Sequence, residues 1–151
     1  MKFIFITAGI ILIGFLIYLH FIPIGIEPLT ELYFENHANL PKNIEVGKKY
    51  SFVFTIHNLE YRDMNYTYNV SAFDNEGNLI FELDKGDIFL KNNESKTFYK
   101  DFKFNKPFDR AKINVKIVKN EMGEPLFKKK LWWEDPNKID EINIHFWVKE
   151  K

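Results

Sequence analysis

The stretch MNYTYNVSA, residues 64–72, decides the fold. Met64, Tyr66, Tyr68, Val70 and Ala72 alternate with Asn65, Thr67, Asn69 and Ser71, which gives one apolar and one polar face at a two-residue repeat. Such a segment is expected to be a half-buried antiparallel strand. The same period recurs elsewhere. Tyr50, Phe52, Phe54 and Ile56 alternate with Ser51, Val53, Thr55 and His57; Ile113, Val115 and Ile117 form a third ladder, and Ile142, Ile144, Phe146 and Val148 a fourth.

Turn residues punctuate these runs at DNEGN (74–78), DKGD (84–87), KNNES (91–95) and NEMGEP (120–125), and Gly77 can supply the positive φ of a tight hairpin. Further strand candidates are 30–34, 79–83, 87–90, 96–104 and 125–133, with a loop at 134–140. Seven to nine short strands in about 120 residues, with no helical pattern, predict an all-β, immunoglobulin-like antiparallel β-sandwich. The chain has no cysteine, so the disulfide of a true immunoglobulin domain is absent and stability must come from the core. Sixteen phenylalanines suit a dense one.

The beginning of the chain is different. Residues 3–25, FIFITAGIILIGFLIYLHFIPIG, contain no Asp, Glu, Lys or Arg. As a helix they would extend about 34 Å, enough for a hydrocarbon layer of about 30 Å. A cleaved signal would have a shorter apolar region and small residues at its exit, where this chain has Leu19, His20 and Phe21. An uncleaved transmembrane α-helix is expected, ended by Pro23, with Tyr18 and His20 at the interface. Lys2 and the α-amino group precede it, whereas Glu27, Glu31 and Glu35 follow with no lysine before Lys42. The positive-inside rule then places residues 1–2 in the cytoplasm and 26–151 outside, as one extracytoplasmic domain of a single-pass cell-membrane protein.

Few residues suggest chemistry. The 21 basic and 21 acidic side chains cancel, so no field draws nucleic acid. His20, His37, His57 and His145 have no metal-ligand spacing, and a thiolate site is excluded without cysteine. Asp74, Glu76 and Asn78 alternate like the start of a calcium loop, but Leu79 takes the place of its glycine and Glu82 comes too early; a hairpin explains them. Ser51, Ser71 and Ser95 lie in no nucleophile motif, and no pair such as Asp84/Asp87 or Glu134/Asp135 stands out as an acid/base couple. No catalytic, cofactor-binding or metal-binding residue is expected, and no enzyme.

Surface features suggest contacts instead. Asn65, Asn69 and Asn93 each begin an Asn-x-Ser/Thr triplet and are candidate N-glycan acceptors; the first two share a strand face about 13–14 Å apart. In KKKLWWEDP (128–136), Trp132 and Trp133 would point to opposite faces of a strand, and Trp147 falls opposite the face of Ile144, Phe146 and Val148. Such tryptophans could stack on a sugar or fill a partner's pocket; the simpler reading has them covering the second face of the sandwich or meeting the anchor. The expected function is a structural or protein-interaction module at the envelope. Carbohydrate binding through Trp132, Trp133 and Trp147 is the alternative, and an envelope enzyme a distant third.

Several segments carry a family resemblance. ELYF (31–34) precedes LPKNIEVGKKYSFVFTIHNLEYRDMNYTYNV (40–70), which contains Pro41, Asn43, Val46 and Gly47, then Asn58, Glu60 and Arg62, then Asn65, Tyr66 and Thr67. Together with INIHFWV (142–148) they resemble the archaeal membrane-protein family named domain of unknown function 1616, over most of residues 30–148. Leu59 departs from the histidine common there, and the loop at 35–40 is short. The resemblance implies the fold and the location but no chemistry.

Overall fold

The computed structural model describes residues 12–14, 28–120 and 140–151. Residues 12–14 are helical; the rest of the expected anchor lies outside the described residues, as does the strand candidate 125–133. Among the described residues no helix is long and apolar enough to cross a membrane. The strands are β1 (Leu29–Phe34), β2 (Asn43–Ile44), β3 (Tyr50–Leu59), β4 (Met64–Asp74), β5 (Leu79–Leu90), β6 (Ser95–Phe102), β7 (Arg110–Asn120) and β8 (Glu141–Glu150), with a 3-10 turn at His37–Asn39. They form two sheets, ordered β1-β3-β6 and β2-β8-β7-β4-β5.

The opening stretch is the middle of β4. Met64, Tyr66, Val70 and Ala72 are fully buried and Tyr68 is half-buried, as alternation requires. Ser71, expected on the polar face, is also buried, and its hydroxyl donates to Asn69 Oδ1 at 2.5 Å. Opposite stand Phe52, Phe54 and Ile56 of β3, also buried; each such side chain contributes about 1.5–3 kcal/mol on leaving water. Ring contacts form a spine through this interior. Phe34 and Phe52 both meet Phe146 at 5.3 Å, Phe52 meets Phe102 at 5.9 Å, and Phe102 meets Phe104 at 6.1 Å.

The two ends of the sandwich differ. The near pole gathers the start of β1, the β3–β4 loop, the β5–β6 turn and the adjoining ends of β7 and β8, where Lys119 N donates to Asp140 O at 3.0 Å. The far pole gathers the β2–β3, β4–β5 and β6–β7 connections and the end of β8.

Two details depart from the sequence reading. First, one pairing is parallel rather than antiparallel. After β1 the chain crosses to the larger sheet without reversing, so β2 runs alongside β8 in the same direction; Lys149 N donates to Lys42 O at 2.8 Å, and Lys151 N to Ile44 O at 3.0 Å. Second, DKGD is not a turn, and the candidates 79–83 and 87–90 are one strand, β5. A bulge replaces the turn: Val70 pairs with Asp84 but Ser71 pairs with Glu82, leaving Leu83 unpaired. The bulge aims Asp84 at the other sheet, where its carboxylate binds Lys100 Nζ and accepts from the Tyr68 hydroxyl at 3.1 Å. Gly86 leaves room for that ring, since a Cβ there would lie 3.1 Å from the Tyr68 hydroxyl oxygen. A Gly86→Val protein should be less stable by about 1–3 kcal/mol in urea titrations. Unchanged stability would mean that the tyrosine moves aside at no cost.

Candidate interaction site

The near pole holds a buried polar cluster. Glu60 Oε1 accepts from the Thr30 hydroxyl at 2.6 Å and lies 2.7 Å from Lys119 Nζ, which also meets Asp140 at 3.0 Å. Thr30 in turn lies 3.0 Å from the Tyr66 hydroxyl. Beside them the Asn58 amide nitrogen reaches the carbonyls of Arg62 (2.8 Å), Leu90 (3.0 Å) and Lys91 (3.1 Å), and its Oδ1 accepts from Glu60 N at 3.0 Å. Among the described residues no buried side-chain nitrogen or oxygen lacks a partner. The cluster ties the β3–β4 loop to the β5–β6 turn. Burial pushes the Tyr66 hydroxyl pKa up, which keeps it neutral.

The far pole is open. A cleft of about 1160 Å³ lies between β5 and β6, lined by Ile80, Phe81 and Leu83 on one side and Phe102, Phe104 and Phe108 on the other. Its floor ends the aromatic spine: Phe104 packs on Phe81 at 5.1 Å and stacks on Phe108 at 4.1 Å. The β4–β5 hairpin forms one wall, built by Asp74, whose Oδ1 accepts from the backbone nitrogens of Glu76 (2.9 Å) and Asn78 (2.8 Å), with Gly77 at φ 88°. The Asn78 side-chain amide, followed by these backbone donors, holds the Asp74 pKa below the ordinary carboxylate range.

Edge strands line the same flank. β5 and β6 each end a sheet, and no described strand pairs with their outer edges. Inward charges and a bulge guard the middle of this flank, at Asp84 and Lys100. The first residues of β5 carry no inward charge, and a second register shift leaves Ile80 unpaired between Phe81, opposite Ala72, and Leu79, opposite Phe73. Leu79 is 58% and Ile80 40% exposed, directly beside the cleft.

The residues singled out in the sequence are scattered. Asn65 and Asn69 stand on the outer face of the five-stranded sheet, where Asn69 Nδ2 donates to Glu82 at 2.7 Å. Asn93 lies in the exposed β5–β6 turn at φ 62°, its Oδ1 3.3 Å from His57 Nε2. Trp132 and Trp133 lie outside the described residues. Trp147 is half-buried on the outer face of β8, and the Arg110 guanidinium stacks 4.2 Å from its ring centroid, taking one face of the indole. Among the described residues no three His, Cys, Asp or Glu side chains gather as a metal set. The cleft was not foreseen. In sequence, Phe81, Phe104 and Phe108 are only three of the sixteen phenylalanines that suit a dense core.

No protein-family model matches the chain, and no curated protein matches it in sequence. In fold it is similar to a chain of the complex between zinc 2-glycoprotein and prolactin-inducible protein from human seminal plasma. That likeness has 13% identity and a TM-score of 0.53, over 82% of this chain and 94% of that one. The CARDB domain of the PF1109 protein from Pyrococcus furiosus also matches, at 13% identity and a TM-score of 0.48, over 83% of this chain and 90% of that one. The likeness to the human chain shows an immunoglobulin-like sandwich, and at such identity it shows the fold alone.

Proposed function

We propose that this sandwich is a non-enzymatic interaction module, held at the cell envelope by residues 3–25, whose far-pole cleft receives an extended segment of a protein partner. The position of the cleft carries the reading. The chain enters at the near pole, three residues after Gly25, so an anchored domain keeps that pole within roughly 15 Å of the bilayer and turns the cleft away from it. The exposed, uncharged start of β5 supports it, because an outer edge beside an apolar cavity suits strand addition, with backbone bonds for affinity and a pocket for a side chain. The resemblance to the archaeal membrane family fits this placement, with residues 1–2 cytoplasmic and the sandwich outside. In that topology Asn93, in its exposed turn, and Asn65 and Asn69, on the outer sheet face, are the glycan acceptors.

The absence of cysteine makes the test clean, since single cysteines carrying a photo-crosslinker have no background label. Probes at Ile80 and Lys106 should give the same adduct in native membranes, while probes at Tyr99 and Asn143 should give none. Equal adducts from all four positions would sink the cleft reading, and so would none from the first two. The anchor is tested separately: carbonate washing should leave the protein in the membrane, and its release would remove the anchor.

A further inference from the structure

Next to the cleft, and sharing Asp109 and Arg110 with it, lies a second cavity of about 270 Å³ lined by Lys42, Asp109, Arg110, Trp147, Val148 and Lys149. The two differ in charge. Around the cleft Lys49, Lys103, Lys106 and Arg110 are matched by Asp74, Glu76, Asp101 and Asp109. Around the small cavity Lys42, Arg110 and Lys149 face Asp109 alone, three cations against one anion, a net +2.

The backbone fixes that excess in place. Arg110 sits directly opposite Lys149 in the β7–β8 register, and Lys149 is bonded through its backbone to Lys42. Like charges opposite one another on paired strands repel. Neighbouring carboxylates are committed elsewhere: Glu150 accepts from Phe108 N at 2.7 Å, and Glu45 lies near Lys48 and Lys151. Among the described residues neither Lys42, Arg110 nor Lys149 has an ion pair. Stacking on Trp147 holds the Arg110 fork in one plane, which suits two parallel bonds to a planar acid.

We propose that this cavity takes a carboxylate of the same partner segment that fills the cleft, so that the segment recognised is acidic as well as apolar. The proposal rests on the cleft reading above. Arg110 grips the carboxylate in a fork, Lys42 and Lys149 flank it, and the lining charge falls from +2 to +1 when one acid enters. The shared Asp109–Arg110 corner makes the two sites neighbours along one extended peptide. An aspartate or glutamate close to an apolar residue is the pattern that spans them.

The test uses the full chain, ¹⁵N-labelled in nanodiscs, with acetyl-Leu-Glu-Leu-Glu-amide and its Gln analogue as probes. The Glu peptide should move the Trp147 indole resonance together with the amides of Ile80 and Phe108, and bind about tenfold more tightly than the Gln peptide. The difference should vanish in Arg110→Gln/Lys149→Gln, whose melting temperature should hold or rise because a repulsion has gone. If both peptides bind the cleft equally and Trp147 stays still, the carboxylate site is wrong while the cleft stands. If neither peptide moves the cleft amides, the cleft fails too. Glucuronate binding more tightly than the Glu peptide would make the occupant an acidic sugar, and inorganic phosphate matching it would make a general anion site; either result overturns the acidic-peptide assignment.

Discussion

Replacing Asn58 with leucine should lower the melting temperature by roughly 10–20 °C, although the two side chains have the same number of heavy atoms. Asn58 is fully buried, and its amide serves the carbonyls of Arg62, Leu90 and Lys91 and the nitrogen of Glu60. Its own backbone pairs across the pole, with Asn58 N donating to Glu94 O at 2.9 Å and Asn93 N donating to Asn58 O at 2.7 Å. Leucine would fill the space and satisfy none of the side-chain contacts. Each buried group left unpaired costs about 1–3 kcal/mol, so a total of about 3–5 kcal/mol is expected. Thermal melts followed by circular dichroism decide it. A loss of only a few degrees would show that water reaches the orphaned carbonyls and that the pole is looser than its contacts imply.

Glu60→Leu should cost a comparable amount, about 3–5 kcal/mol, because it leaves the Lys119 ammonium buried with its main partner gone. Asp140 cannot compensate fully, since its side chain is 63% exposed and its pull is screened. Lys119→Met should be similarly harmful, whereas the double change Glu60→Leu/Lys119→Met should recover most of the loss by replacing a buried pair with apolar contacts. Additive losses in this cycle would rule out coupling. The pair also sets a pH signature. Burial alone would lower the Lys119 pKa, but Glu60 and then Asp140 outweigh it and hold the value above the ordinary 10.5. A raised lysine stabilises fully below its unfolded value and loses that contribution as pH rises through the folded one. The parent should therefore lose stability on the alkaline side of 10.5, and the double variant should show a shallower alkaline limb, the remainder coming from Tyr66 and Tyr68, whose hydroxyl pKa values burial also raises.

The fold was legible wherever burial follows a two-residue period. Residues 64–72, 50–56 and 113–117 needed only alternation to be placed, because one face of each strand meets the core. Asp84 to Asp87 misled because acidic and glycine residues usually turn a chain; here an ion pair with Lys100 across the sheets and the ring of Tyr68 over Gly86 keep it extended. Neither partner is local in sequence. The cleft was hidden for a similar reason. Phe81, Phe104 and Phe108 differ from other core phenylalanines only in lying where the two sheets part, and no pattern within one strand records that. Asn58, Glu60 and Tyr66 act as a structural tie at the near pole, through partners that lie on other strands and loops.

The β1–β3 pairing gives the domain a mechanical character. β1 begins at the near pole with Leu29, while the cleft lies at the other end. A pull between the start of β1 and an occupant of the cleft would slide β1 along β3, loading their six register pairs at once instead of peeling them one by one. Under tension such a joint fails by crossing a single barrier, so its lifetime follows the unfolding rate and not the equilibrium stability. Along this direction the β1–β3 joint is loaded in shear, the geometry in which paired strands resist tension best.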